Sequence, residues 1–219
     1  MDARLSSPSA LRNRGPITDV LRGLAPARGY ALEIASGTGE HAVLFGESLP
    51  GLTFQPSDPD PRHRASIDAW ARSAGLSNVR PALDVDTTRT DWDRHPAIDD
   101  PLDLVICINM IHISAWEAGL GLLRGAGRRL RRGGHLLLYG PYRRGGEHTS
   151  DSNAAFDASL RQRDARWGVR DLEAVLEAAA DAGLRRVDVV AMPANNLSVV
   201  LQREGDEGQR DHARCATSP

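Results

Sequence analysis

Short apolar runs alternate along most of this chain with stretches in which apolar residues recur every three or four positions. Tyr30 to Ala35, Leu52 to Pro56, Val79 to Leu83, Leu102 to Ile108 and His135 to Tyr139 read as strands, apolar enough to be buried on both faces. Between them lie helical patterns. Pro16 opens a helix with Ile17, Val20, Leu21 and Leu24 on one side, and Glu40 to Ser48 forms another. A further helix turns Ile67, Trp70, Ala71 and Ala74 inward and stops at Gly75. Ser114 and Glu117 form a capping box for a helix with Trp116, Leu120, Leu123 and Leu130 on one face. The last helix has Leu172, Val175, Leu176 and Ala179 inward and Gly183 as its cap. Val187 to Ala191 and Leu197 to Leu201 are strands joined by a turn too short for a parallel crossover. The pattern predicts one Rossmann-like α/β domain over residues 15–203: a mostly parallel sheet, a C-terminal antiparallel hairpin, and helices on both faces.

Three segments depart from that rhythm. Residues 142–169 form a polar connection long for a compact domain, which predicts a lid-like insertion with Asn153 as a helix N-cap. Met1 to Asn13 is polar and irregular, and residues 1–14 are assigned to a segment folding over the site. From Glu204 the chain is charged and contains glycine, which predicts a disordered tail over 204–219.

Composition narrows the classes. The 219 residues, 41% hydrophobic, suffice for one sizeable core. A net charge of -2 forces no basic face, so nucleic acid is not an expected partner. Cys107 sits in an apolar run and Cys215 in the polar tail, an improbable disulfide pair. No run reaches membrane-spanning length and the N-terminus has no signal-peptide layout, so a cytoplasmic protein with no membrane partner is expected. Arg128 to Arg132 read as a solvated helix end favoured by the dipole. The histidines have no paired metal-ligand spacing, so no metal is expected, and the sequence leaves a homodimer open.

Candidate chemistry starts at Glu33-Ile-Ala-Ser-Gly37-Thr-Gly39, where glycines between strand and helix let backbone approach a ligand. Alone, this loop also fits a dinucleotide fingerprint or a plain tight turn. Three acids sharpen it. Glu33 is a carboxylate inside an apolar strand, costly unless partnered. Asp58 and Asp84 end the next two strands, where carboxylates can meet ribose hydroxyls and the adenine amine. Together they favour an adenosine cofactor, and the terminal hairpin favours S-adenosylmethionine over NAD.

These residues, with Glu40-His41, Gln55-Pro-Ser-Asp58, Asn109-Met-Ile-His112-Ile-Ser114, Trp116-Glu117, Tyr139-Gly-Pro-Tyr142, His148-Thr149, Ser152-Asn153, Phe156-Asp157, Trp167-Gly168-Val-Arg170-Asp171 and Met192-Pro-Ala-Asn195-Asn196, carry a resemblance. From about Ser7 to Arg203 the chain resembles an uncharacterised methyltransferase-like family of bacteria and animals, long catalogued as a domain of unknown function. The resemblance implies a class I methyltransferase fold and S-adenosylmethionine, and no established substrate. The cofactor-binding set is assigned as Glu33, Ala35, Ser36, Gly37, Gly39, His41, Asp58, Asp84, Val85, Asn109 and Met110, with Asn109 also reading as a cap of the strand end or an acceptor contact. Ala35 departs from the pattern, standing where such loops usually have their first glycine.

Methyl transfer is an in-line displacement whose main demands are alignment and exclusion of water, with a base only where the acceptor must lose a proton. His112, after the fourth strand, is the first candidate base, with a structural histidine as the alternative. Tyr142 and His148 are the other catalytic candidates. Arg12, Asn13, Trp116, Tyr139 and Asn153 are assigned to the acceptor, although Tyr139, Tyr142 and Trp116 also read as packing and Asn153 as a cap. The expected activity is methylation of an oxygen or nitrogen of a small molecule. The alternatives are a noncatalytic S-adenosylmethionine-binding module and an NAD-dependent oxidoreductase.

Overall fold

The structure, a computed structural model, describes residues 2–98 and 101–205. Its central sheet runs in the order β2 (Leu52–Pro56), β1 (Gly29–Ile34), β3 (Leu102–Ile108), β4 (Leu130–Arg144), β8 (Asn196–Arg203) and β7 (Leu184–Met192), and the two-residue strands β5 (Glu147–His148) and β6 (Arg170–Asp171) pair with the end of β4. The first four strands are parallel; β8 runs antiparallel to β4, and β7 antiparallel to β8. This is the expected parallel sheet closed by a hairpin.

Side-chain alternation along the strands splits the core into two layers. Ala31, Leu104, Leu137 and Val200 pack with Ile17 and Leu21 of α1 (Pro8–Leu24), Phe45 of α2 (Glu40–Ser48) and Ile67 of α3 (Pro61–Ser73). Their strand neighbours Leu32, Val105, Leu138 and Val199 pack with Leu122 of α4 (Trp116–Arg129) and Val175 of α6 (Leu172–Asp181). Cys107 lies in this second layer, where burial pushes its thiol up to about 12. Cys215 and the tail from residue 206 lie outside the described residues.

Several local expectations change. The first helix begins at Pro8 rather than Pro16: Ser7 caps it, accepting from the Ala10 amide, and proline suits the first turn. Pro16 is accommodated inside the helix, where it cannot donate to the Arg12 carbonyl one turn earlier. The expected strand at Val79 to Leu83 forms no continuous ladder, pairing through isolated parallel bridges at Phe54–Val79 and, just past β2, Ser57–Leu83. Pro81, which has no N–H, interrupts the ladder between them. In α3, Ile67 and Ala71 are buried as expected while Ala74 is exposed.

The Ser114–Glu117 capping box is absent. The Ser114 hydroxyl donates to the Met110 carbonyl (2.8 Å), and Ala115 is the N-cap of α4. Leu130 belongs to β4 rather than to that helix. The arginines around that junction are tied down rather than free. Arg128 grips Asp93 with two hydrogen bonds (2.8 and 2.9 Å), Arg129 donates to the Ile98 carbonyl and Arg131 pairs with Asp103.

Candidate functional site

The carboxyl ends of β1, β2 and β3 converge on the glycine loop. Ala35 (φ 54°), Gly37 (φ 59°) and Gly39 (φ 99°) all take left-handed backbone, which turns the chain sharply from β1 into α2. The two glycines serve different ends. A Cβ on Gly39 would lie 2.8 Å from the Ile67 Cα, so that glycine permits α2 and α3 to meet. A Cβ on Gly37 would meet nothing within 4 Å, so the loop faces open space there. Ala35 adopts the left-handed conformation despite its methyl group, at a cost of about 1 kcal/mol.

Asp58 braces this loop from β2. Its Oδ2 accepts the Gly37 amide (3.0 Å); its Oδ1 accepts the Asp60 amide (2.9 Å) and lies 3.1 Å from His63 Nδ1. Three of roughly four lone-pair positions are thus engaged, leaving room for one more donor. Glu33, at the end of β1, is 2% exposed and its Oε2 has no hydrogen-bond partner. Burial pushes its carboxyl up to about 7; a Ser36 hydrogen bond opposes that rise and the Asp58 charge adds to it. A buried orphan carboxylate oxygen beside an open glycine loop suits a cationic amino group. Asp84 is half-exposed and 3.7 Å from the Arg64 guanidinium, Val85 is buried in the core, and Ser36 is buried with its amide on the Ser57 carbonyl.

The N-terminal segment lies against this loop. Glu40, the first residue of α2, accepts from the Ser6 hydroxyl and the Ser7 amide (both 2.9 Å) and from Thr38 on the loop. Leu5 is held through the Ser66 hydroxyl and the Trp70 indole. Sequence reading passed over Glu40, whose signal was an acid in the first turn of the helix after the glycines.

A cavity of about 480 Å³ opens beyond the end of β3. α1 contributes Ser9, Arg12 and Asn13, β4 contributes Tyr139 and Pro141, and the end of β3 contributes Asn109. The far wall is Ser152, Asn153 and Phe156 of α5 (Asp151–Arg163), with Pro193, Ala194 and Asn196 from the β7–β8 turn. Asn109 sits in left-handed backbone (φ 61°), a conformation asparagine tolerates, with its amide on the Tyr139 carbonyl. His41 of α2 meets Asn13 Oδ1 through Nε2 (2.8 Å), and burial holds its ring down to about 4. Burial raises the Tyr139 phenol above its usual range, against a hydrogen bond from Asn13 and the charge of Arg12.

α5 lies within the 142–169 stretch. Ser150, not Asn153, caps it. The Asn153 side chain instead ties α5 to the hairpin, donating to Thr149 Oγ1 and to the Asn195 carbonyl (3.0 Å each). Asp157 beneath it accepts the Val169 amide (2.6 Å) and the Arg161 Nε (2.9 Å), and lies 3.5 Å from His148 Nε2.

The cavity does not take in every expected acceptor or catalytic residue. Tyr139 and Pro141 face it; Gly140 and Tyr142, one step out of phase on the same strand, face the α4–α6 layer. His112 lies on that second side. It is 0% exposed, its ring stands edge-on to Tyr142 at 5.0 Å, and a Cβ on Gly140 would be 2.5 Å from its Nε2. Its Nδ1 accepts the Arg170 amide (3.3 Å), so the neutral ring carries its proton on Nε2, which is buried without a partner. Burial, then the Arg170 charge, hold the ring down to about 3. A base expected at His112 is therefore shut away behind β4. Tyr142 is likewise fully buried, its phenol raised by desolvation, and it does not line the cavity. His148 belongs to the Asp157 network rather than to the cavity lining. Trp116 stacks under Arg170 (5.5 Å), which also clamps the Ile111 and Ser114 carbonyls, and it does not line the cavity. Met110 is buried in the core and receives the Ser114 hydroxyl on its sulfur (3.3 Å).

Pro141, Ser152, Phe156, Pro193, Ala194 and Asn196 were not among the expected site residues. For Pro141 the signal was strand parity with Tyr139; for the others only the tertiary structure brings α5 and the hairpin turn together. Among the described residues no cluster of metal-ligating side chains occurs, and no helix is long and apolar enough to cross a membrane.

Solved structures share this architecture. A putative O-methyltransferase from Nostoc punctiforme superposes with a TM-score of 0.78 at 16% identity, covering 92% of this chain and 58% of its own. An O-methyltransferase family protein from Burkholderia thailandensis does so with 0.76 at 18%, covering 91% and 58%. CalO1, a methyltransferase in calicheamicin biosynthesis solved in its SAH-bound form, gives 0.68 at 16%, covering 89% and 54%. This chain thus spans a little over half the length of these structures, and at such identities the likeness establishes the class I methyltransferase fold. Residues 4–203 match the family described as a protein of unknown function, DUF938, and the chain belongs to that family.

Proposed function

We propose that this protein is an S-adenosylmethionine-dependent methyltransferase acting on an oxygen or nitrogen of a small molecule. The observation that carries the reading is the orphaned, buried Glu33 carboxylate beside the open face of Gly37, with Asp58 bracing the same loop. Ala35, Ser36, Gly37 and Gly39 would hold the cofactor by backbone, Glu33 its amino group and Asp58 its ribose. Asp84, Val85, Asn109 and Met110 would border the rest. Bound S-adenosylmethionine supplies a methyl carbon already activated by a sulfonium. The protein's part is then to align an acceptor and keep water out.

The cavity is suited to that task. Its volume falls within the usual range for small-molecule sites, and Asn109 links it to the cofactor end of β3. Among the described residues neither a carboxylate nor a histidine lines it, so alignment rather than proton abstraction is the contribution we assign to it. α5 acts as its outer wall and the segment around Ser6 and Ser7 as a strap beside the cofactor loop.

Calorimetric titration with S-adenosylhomocysteine, with NAD in parallel, tests the reading. Micromolar binding of the first alone supports it, and binding of NAD alone moves the protein to the oxidoreductases. Asp58→Ala is expected to weaken S-adenosylhomocysteine by roughly tenfold or more, about 1.4 kcal/mol; an unchanged affinity removes Asp58 from the site. Screening small hydroxyl and amine acceptors for methylation separates an enzyme from a noncatalytic binding module.

A further inference from the structure

The acceptor cavity has a charge imbalance that narrows what it can hold. Among the described residues that line it, Arg12 alone carries a formal charge. Elsewhere the chain repeatedly pairs arginine with aspartate: Arg4 with Asp2, Arg62 with Asp60, Arg128 with Asp93 and Arg166 with Asp164. Among the described residues no carboxylate pairs with Arg12, and its charge is felt by the Tyr139 phenol. Two amide donors of the far wall are spent on the protein itself. Asn153 Nδ2 donates to Thr149 and Asn195, and Asn196 Nδ2 donates to the Pro193 and Ala194 carbonyls. The guanidinium is the charged donor of this lining, and its planar fork matches a carboxylate with two parallel hydrogen bonds.

One cation without a second favours a single negative charge over a phosphate dianion. The remaining walls, Tyr139, Pro141, Phe156 and Pro193, suit a flat apolar body. We propose that the cavity takes a small organic monoanion, an aromatic or arylalkyl carboxylate, with Arg12 as its counter-ion. This deepens the methyltransferase reading and rests on it for the claim that the bound anion is the acceptor.

The test compares acids with their uncharged isosteres on the full chain. Benzoate, phenylacetate and indole-3-carboxylate, each beside its primary amide, are titrated by NMR chemical-shift perturbation, with and without S-adenosylhomocysteine. At least one acid is expected to bind roughly tenfold more tightly than its amide, a preference that shrinks as salt is raised. Arg12→Gln is expected to bring that pair within about twofold while leaving S-adenosylhomocysteine affinity and melting temperature in place, and Arg12→Lys to restore part of the preference. The proposal is overturned if no acid outbinds its amide, if Arg12→Gln keeps the discrimination, or if phenylphosphonate outbinds benzoate. Failure of S-adenosylhomocysteine to bind the native chain would sink the methyltransferase reading instead. The acid–amide difference, measured without it, would still decide what the cavity holds.

Discussion

The two faces of β4 serve different ends. On one, Tyr139 and Pro141 open onto the cavity, where Asn13 engages His41 and Arg12 is exposed. On the other, His112 and Tyr142 are fully buried, and His112 Nε2 and the Tyr142 hydroxyl both lack partners. A strand alternates its side chains with a period of two, so residues adjacent in sequence can belong to a binding site and to a sealed core. Proximity to the right strand end is therefore not enough to make a histidine a base. His112 reaches the α4–α6 layer, where desolvation keeps it neutral and Arg170 and Gly168 pin the turn that carries it.

Breaking the sealed face should cost stability first. His112→Ala removes a fully buried ring and is expected to destabilise the fold by about 3 kcal/mol while leaving S-adenosylhomocysteine affinity unchanged. Denaturant unfolding beside calorimetry checks both. A variant that melts like the native chain yet has lost turnover would return His112 to the chemistry and dissolve the contrast.

Gly140→Ala probes the same face from the strand. Its methyl would start 2.5 Å from His112 Nε2 and 2.6 Å from Cδ2, so the ring or the strand must shift, at about 2 kcal/mol. A melting temperature equal to the native one would show that the His112 pocket is slack.

The pH dependence of stability carries a matching signature. The ring of His112 stays neutral in the native state down to about 3, whereas the unfolded chain takes up that proton near 6.5. The unfolded state therefore binds more protons between these values, and stability falls as pH drops from 6.5. From pH 6.5 to 5 the loss due to His112 is about 2 kcal/mol. His41, held down to about 4, acts in the same direction. Glu33, raised to about 7, acts oppositely, lending stability below 4.5 that is lost as pH rises through 7. Unfolding of the native chain and of His112→Ala at the two pH values should differ in slope accordingly; equal slopes would mean that His112 titrates normally.

The cavity face should respond least in stability. Tyr139→Phe removes one hydroxyl bonded to Asn13 and is expected to cost about 1 kcal/mol or less, with its main effect on acceptor affinity. A loss as large as that of His112→Ala would show that both faces of β4 are structural.

Much of this architecture is legible in the chain. Leu104 beside Val105 and Leu137 beside Leu138 announce strands buried on both faces, and the structure sends each pair to opposite layers. The glycine loop, Glu33 and Asp58 gather at one crevice because acids and glycines at successive strand ends are a local signal read one element at a time. Reading failed where a second candidate competed for the same local role. Ser150 displaced Asn153 as the cap of α5, Ser7 and Pro8 started α1 ahead of Pro16, and Ser114 turned back onto Met110 instead of capping α4. Each alternative satisfies the same orphan backbone groups, so composition alone does not choose between them.

The sequence by itself determined the alternation of strands and helices, the mostly parallel sheet with its closing hairpin, and a glycine turn at the carboxyl end of β1. Those follow from periodicity and turn chemistry, which act over a few residues. Only the tertiary structure decided that α1, α5 and the hairpin turn enclose one cavity, that Arg12 faces it with no carboxylate partner among the described residues, and that His112 lies behind β4. Such facts depend on which side of a shared strand each connection takes. Packing of distant elements sets that choice, and no local pattern records it.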